Sequence, residues 1–366
     1  MNNAAKTSGS NHTAASGEGI DLGKMLLEGR AFLALIAIVV IFSLLSPNYF
    51  ALENFLTMAS HVAIYGILAI GMLLGIINGG IDLSVGSTLG LSGVVAGYFM
   101  QGVTLNAFGV VLYPPVWVVV VLCWLLGACI GLVNGILIAR FKVPAFVATL
   151  GVMYVVRGFA LLMTNGLTYN NLGGQTALGN TGFEWLGFDR LWHVPIGVLV
   201  LALIALAGSV ALNRSPFGRW LYASGGNERA AELSGVPVRQ VLLGVYMLSG
   251  ICAAVAGLIL SSQLTSAGPT AGTTYELTAI AAVVIGGASL MGGTGNIRGT
   301  LLGAFVIGFL SDGLVIIGIS SYWQTVFTGA VIVLAVLLNA IQYRRRVKRR
   351  APTGSQLASP QGGGKV

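Results

Sequence analysis

Long apolar runs recur along the chain, each closed by a short polar, proline-bearing or glycine-rich interval. The first extends from Phe32 to Leu45, and Pro47 closes it. Nine more follow, at about 58–77, 83–100, 115–139, 144–163, 194–212, 240–260, 275–290, 300–318 and 322–342. Crossing about 30 Å of hydrocarbon takes about 20 helical residues, which most of these runs approach or meet. A backbone in lipid must satisfy its own polar groups, and nothing here alternates as a barrel strand does. The pattern therefore predicts an all-α polytopic membrane protein with about ten transmembrane helices. Pro115, Pro144 and Pro195 stand at span starts, where a missing N–H costs little. The run at 275–290 is short and glycines follow it, which predicts a broken or re-entrant end. Residues 1–28 form a polar tail expected to be disordered, 29–343 the membrane domain, and 344–366 a basic tail. Phe32–Leu45 follows a long polar lead without an A-x-A exit, so it reads as a retained span.

The longest polar interruption between apolar runs in the second half of the chain is 213–240. Asn227 is a good N-cap, Glu228 opens a first turn, Gly235 supplies a stop and Pro237 prevents continuation. The short helix so framed, 228–234, carries Ala230, Ala231 and Leu233 as a small apolar surface, with Glu228, Arg229 and Glu232 charged. Such a capped element suits docking of a soluble partner; an ordinary solvated loop helix has the same local pattern.

Composition agrees with the hydropathy pattern: 366 residues, 55% hydrophobic and 8% charged, with a mean hydropathy of +0.87. The 53 glycines suit closely packed membrane helices. Cys123, Cys129 and Cys252 lie in apolar runs with no metal or disulfide spacing, and read as small core residues. Charge then orients the chain. With the N-terminus in the cytosol, of 19 Lys and Arg only Arg190 falls outside and only Arg157 within a span. The positive-inside rule thus predicts both termini in the cytosol. Arg344, Arg345, Arg346, Lys348, Arg349 and Arg350 make a cytosolic anchor beside anionic lipid, and no basic face interleaved with aromatics points to nucleic acid. The segment 164–193 becomes the largest external loop, with Tyr169, Phe183, Trp185, Phe188, Trp192, Glu184 and Asp189. Its aromatics form either an interfacial belt or a docking surface for an external partner.

Few ionisable residues sit deep in the spans. Asp82 lies in Asn78-Gly79-Gly80-Ile81-Asp82-Leu83-Ser84, where it could cap a helix beginning near Leu83 or contact substrate. Asn134, Thr149, Tyr154 and Arg157 could form a polar stripe along a path, unless Arg157 snorkels to the outer interface. His61, Glu276 and Asp312 read as hydrated boundary residues. A second glycine-rich break, Gly286 to Gly299, is not a P-loop and resembles 79–86 too loosely to be a repeat. No H-E-x-x-H, G-x-S-x-G or Cys/His cluster is present, so nothing points to an enzyme or a metal. Proton coupling through Asp82 or Glu276, as in a secondary transporter, and a non-transporting scaffold stay open at this point.

Four stretches carry a resemblance: Gly79-Gly80-Ile81-Asp82-Leu83-Ser84-Val85-Gly86, the span start Pro144 to Gly151, Gly225 to Gly235, and Gly286-Gly287-Ala288-Ser289-Leu290-Met291-Gly292-Gly293. In that order they resemble the ribose-type sugar permeases of bacterial ATP-binding-cassette importers, over roughly 31–340, and look less like the related branched-chain amino-acid permeases. Ala145 and Val147 stand where the family often has Pro or Ile. The resemblance implies a type II-like permease fold in the bacterial inner membrane, working as a pair of copies. It also implies two ATP-binding subunits, or one fused ATPase, which hold the ATP and Mg, this chain binding no cofactor; an external binding protein delivers a monosaccharide or small polyol. Gly226, Asn227, Glu228, Arg229, Ala230, Ala231, Glu232, Leu233 and Gly235 would couple to the ATPase. Asn78, Asp82, Ser84, Asn134, Phe146, Thr149 and Tyr154 would line the path or gate, and Glu184, Trp185 and Asp189 would meet the binding protein.

Overall fold

The computed structural model describes residues 30–105 and 109–350; the predicted tail 1–28 and the chain beyond 350 lie outside the described residues. Each of the ten apolar runs has its helix: α1 (Arg30–Leu45), α2 (Leu52–Ile77), α3 (Val85–Met100), α4 (Val116–Ala139), α5 (Ala145–Thr164), α7 (Ile196–Arg214), α10 (Val238–Leu264), α11 (Tyr275–Ile285), α12 (Ile297–Ile316) and α13 (Ser321–Arg350). Three shorter helices lie in the intervals: α6 (Trp185–Phe188), α8 (Pro216–Gly226) and α9 (Glu228–Leu233). Among the described residues six helices, α2, α4, α5, α7, α10 and α12, are long and apolar enough to cross a membrane. The other four carry shorter apolar stretches, at Ala31–Leu45, Val85–Met100, Tyr275–Ile285 and Tyr322–Leu334. At about 1.5 Å per residue, α3 and α11 fall short of a full hydrocarbon thickness.

The core is built around α2. From Val62 to Ile77 every residue but Tyr65 is buried, because α7, α10, α11 and α12 surround it. α4 packs closely on α10. Gly127, Gly131 and Gly135, one turn apart on α4, lie against the backbone of α10 at Gly250, Tyr246 and Leu243. A methyl group on Gly131 would strike the Tyr246 carbonyl, and one on Gly135 would sit 3.0 Å from the Leu243 Cα. Small residues here allow the backbone approach that drives helix association in lipid. Cys129 lies on the other side of α4 from those glycines and is exposed, whereas Cys123 and Cys252 are buried as expected.

Several sequence expectations shift by a residue or more. Pro115, Pro144 and Pro195 occupy the N-cap position, immediately before the first helical residue. α12 begins at Ile297, because Asn296 caps it by accepting from the Gly299 amide at 2.7 Å. Small antiparallel ladders also appear in the intervals, where an all-α reading had none. β1 (Val103–Leu105) pairs with β2 (Val110–Leu112), β3 (Tyr169–Asn170) with β6 (Ser266–Ala267), and β4 (Arg190–Leu191) with β5 (Val194–Pro195). The β4–β5 hairpin turns through Trp192 and His193 at φ 51° and 68°. Both angles are positive, as a type I′ turn requires, without the usual Asn-Gly.

Candidate functional site

The helix α9 is delimited as its sequence suggests. Asn227 Oδ1 accepts from the Ala230 amide at 2.9 Å. At the other end the Gly235 amide donates to Glu232 O and the Val236 amide to Ala231 O, both at 3.0 Å, with Gly235 at φ 84°. This is a Schellman closure, and Pro237 then leads into α10. Six residues at about 1.5 Å each make a rod about 9 Å long. Ala231 is turned into the bundle and buried, so the exposed apolar surface is Ala230 and Leu233, Leu233 being 76% exposed. Gly226, the last residue of α8, is exposed. Two ion pairs frame the rod: Lys142 Nζ to Glu228 Oε1 at 3.0 Å and Arg229 Nη1 to Glu232 Oε2 at 3.1 Å. Lys142, in the interval between α4 and α5, was visible in the sequence only as a cytosolic charge.

A second constellation surrounds the first glycine-rich break. Asp82 is 1% exposed. Its Oδ1 accepts from the Ser84 amide at 3.0 Å and the Ser84 hydroxyl at 2.6 Å, and its Oδ2 from the Ser249 hydroxyl at 2.8 Å. Asn134 Nδ2 donates to Ser84 Oγ at 2.8 Å, and Thr149 Oγ1 to the Ile81 carbonyl at 3.0 Å. Residues of α4, α5 and α10 thus meet on one loop. The expected cap on a helix starting near Leu83 takes another form: α3 starts at Val85, and Asp82 binds the N-cap residue itself while reaching across to α10. Three donors supply what a buried carboxylate needs in place of water. Asn78 Oδ1 accepts from Ser224 Oγ at 2.9 Å, which joins this break to α8.

The proposed polar stripe on α4 and α5 does not form as one surface. Asn134 and Thr149 are fully buried against the break. Arg157 instead donates to the carbonyls of Pro269 at 2.6 Å and Ala271 at 2.8 Å, so its guanidinium holds a protein loop rather than snorkelling freely. Phe146 and Tyr154 are 56% and 69% exposed on the outer face of α5, apart from the Asp82 cluster. His61 and Asp312, read as separately hydrated, are paired at 3.0 Å between α2 and α12. Nothing in sequence marks a contact between residues 251 positions apart.

In the interval before α7, Phe183 is buried with Leu172, Met100 and Val119, so it belongs to a core and not to an aromatic belt. Its carbonyl accepts from Ser262 Oγ at 2.7 Å, which seats α6 on the end of α10. Glu184, Trp185 and Asp189 are exposed there, at and beside α6, with Trp185 half exposed. The Asp189 carbonyl accepts from the Ile196 amide at 3.0 Å.

With this geometry in hand, the relatives are informative. The family described as "Branched-chain amino acid transport system / permease component" matches residues 54–336. The ribose import permease protein RbsC of Escherichia coli (strain K12) is 43% identical over 314 residues, 86% of this chain and 94% of the relative. RbsC of Bacillus subtilis (strain 168) is 44% identical over 309 residues, 84% of this chain and 91% of the relative. The xylose transport system permease protein XylH of Escherichia coli (strain K12) is 35% identical over 367 residues, covering 85% and 91%. No solved structure matches. The chain belongs to this permease family: it is a multi-pass membrane protein and a ribose-type permease component of an ATP-binding-cassette importer.

Proposed function

We propose that this chain, as a pair of copies, forms the membrane path for a monosaccharide, a pentose first among candidates because the relatives are named for ribose and xylose. An external binding protein delivers the sugar at Glu184, Trp185 and Asp189. Two ATP-binding subunits, or one fused ATPase, dock on α9 from the cytosol and hold the ATP and Mg, while this chain carries no cofactor and hydrolyses nothing. The path runs beside the Asp82 cluster of Asn78, Ser84, Asn134 and Thr149, with Phe146 and Tyr154 on the exposed face of α5 turned toward the second copy. All ten apolar helices cross the inner membrane in this reading, with both termini cytosolic.

The observation that carries the reading is α9 itself, a short rod closed at both ends and exposed on one side. A rigid docked helix can pass the closure of an ATPase pair to the attached spans, shifting them between outward- and inward-open states. The test is reconstitution of the complete importer in proteoliposomes with its binding protein. Labelled ribose or xylose should accumulate only with ATP inside the ATPase-facing compartment. Uptake that persists without the ATPase and collapses with a proton gradient would overturn the reading.

A further inference from the structure

Both glycine-rich breaks meet the helix that precedes α9. Ser224 Oγ, on a residue 4% exposed, donates to Asn78 Oδ1 in the first break at 2.9 Å. Tyr222, two residues earlier, donates its hydroxyl to the Gly295 carbonyl in the second break at 2.7 Å. The breaks are also tied to each other, because the Gly293 amide donates to the Ile77 carbonyl at 2.8 Å. Gly225 fills the remaining space: a Cβ there would strike the Ile77 carbonyl and lie 3.0 Å from the Gly293 amide nitrogen. Gly292, at φ 84°, faces the Gly225 carbonyl from the other side. Partial burial lifts the Tyr222 phenol above its ordinary range.

We infer that Tyr222, Ser224 and Asn78 are positioning residues of a rigid joint, through which α8 and α9 move both glycine-rich breaks as one body. Resting on the reading of α9 as the ATPase-docking helix, the inference adds where its displacement goes. Only Gly79, Gly80 and Ile81 separate Asn78 from Asp82, so a shift at the joint reaches the Asp82–Ser84–Ser249 network within four residues. The second break opens directly into α12 at Asn296. One cytosolic push is thereby divided between α3, which starts after the first break, and the α11–α12 pair, which flanks the second. Interior packing is bistable and not continuously deformable, so a fixed joint delivers a discrete change at both places. A loose joint would let α9 move while the breaks stayed put.

The complete importer, in a Cys129→Ala background, carries spin labels at Ser234→Cys, the C-cap of α9, and at Met291→Cys in the second break, both exposed. Pulsed dipolar spectroscopy reads their separation with and without trapped nucleotide, and needs no sugar. With the native joint the separation should hold within about 2 Å, the scale of a packed-helix shift. With Tyr222→Phe and Ser224→Ala together it should change on trapping, and labelled ribose or xylose taken up per ATP should fall about tenfold, as loss of two partly buried hydrogen bonds implies. Ser224→Thr, which keeps the hydroxyl, should restore both readouts when Tyr222 is intact. A native separation that changes by more than that margin, or a double variant that behaves as the native chain, overturns the joint. Protection of the Leu233→Cys thiol by the bound ATPase is measured alongside. If protection holds while the joint fails, only the joint is wrong; without protection, the docking reading falls and the joint with it.

Discussion

At the residue scale the Asp82 carboxylate carries the greatest consequence. It is buried, and it takes three hydrogen bonds, two from Ser84 at the start of α3 and one from Ser249 on α10. Asp82→Leu removes the acceptor and strands the Ser84 amide and two hydroxyls, at about 1–3 kcal/mol for each buried group left unpaired. Asp82→Asn keeps one oxygen for Ser84 and turns an amide toward Ser249, whose hydroxyl can accept. Thermal unfolding in detergent should therefore show the Asn variant well above the Leu variant; equal, near-total loss with both would point to a role for the charge itself. The Lys142–Glu228 pair is the opposite case. Both side chains are more than half exposed, so a double-mutant cycle should give less than about 1 kcal/mol of coupling. That small value should shrink further at high salt. The sequence flagged Asp82, Ser84, Asn134 and Thr149 as polar residues in apolar surroundings, since such placement is costly and therefore conspicuous. It was silent on which of them meet, because Asn134 reaches Ser84 across 50 positions and Ser249 reaches Asp82 across 167.

At the element scale α9 was legible almost to the residue, since Asn227, Gly235 and Pro237 act through local backbone geometry that needs no tertiary context. A proline at Ala231 tests what the element does. Ala231→Pro removes the amide that donates to the Asn227 carbonyl at 3.0 Å, and breaks the helix at about 3 kcal/mol. The ten apolar helices pack without that bond, so expression and membrane insertion should hold while ATP-driven sugar uptake falls to background. Normal uptake by a well-expressed variant would remove α9 from the mechanism. Ladders two or three residues long were not legible, for a physical reason: they are too short to show a period of two. Pairs such as Tyr169 with Ala267 depend on where helices deliver the loop ends. The α4–α10 contact lay between these extremes, with glycines at 127, 131 and 135 visible as a spacing but their partner decided only by packing.

At the scale of the whole molecule, apolar run length made the helices legible, while side assignment rests on counting charge. Four helices carry apolar stretches shorter than a full crossing, and one helix fewer or more between Trp192 and Leu233 would place them on the same side of the membrane. In the proposed arrangement only α7 crosses between them, so they lie on opposite sides. Trp192 is 90% exposed at the β4–β5 turn and Leu233 is 76% exposed on α9, which makes both accessible to a reagent. In a Cys129→Ala background, Trp192→Cys should react with a membrane-impermeant maleimide in cells with a permeable outer envelope. Leu233→Cys should react only in inside-out vesicles, and there the ATPase should shield it. Labelling of Leu233→Cys from outside would place α9 beyond reach of any cytosolic ATPase. That single result would undo the docking role, the joint through Tyr222 and Ser224, and the direction of transport together, since all three depend on which side of the membrane this rod faces.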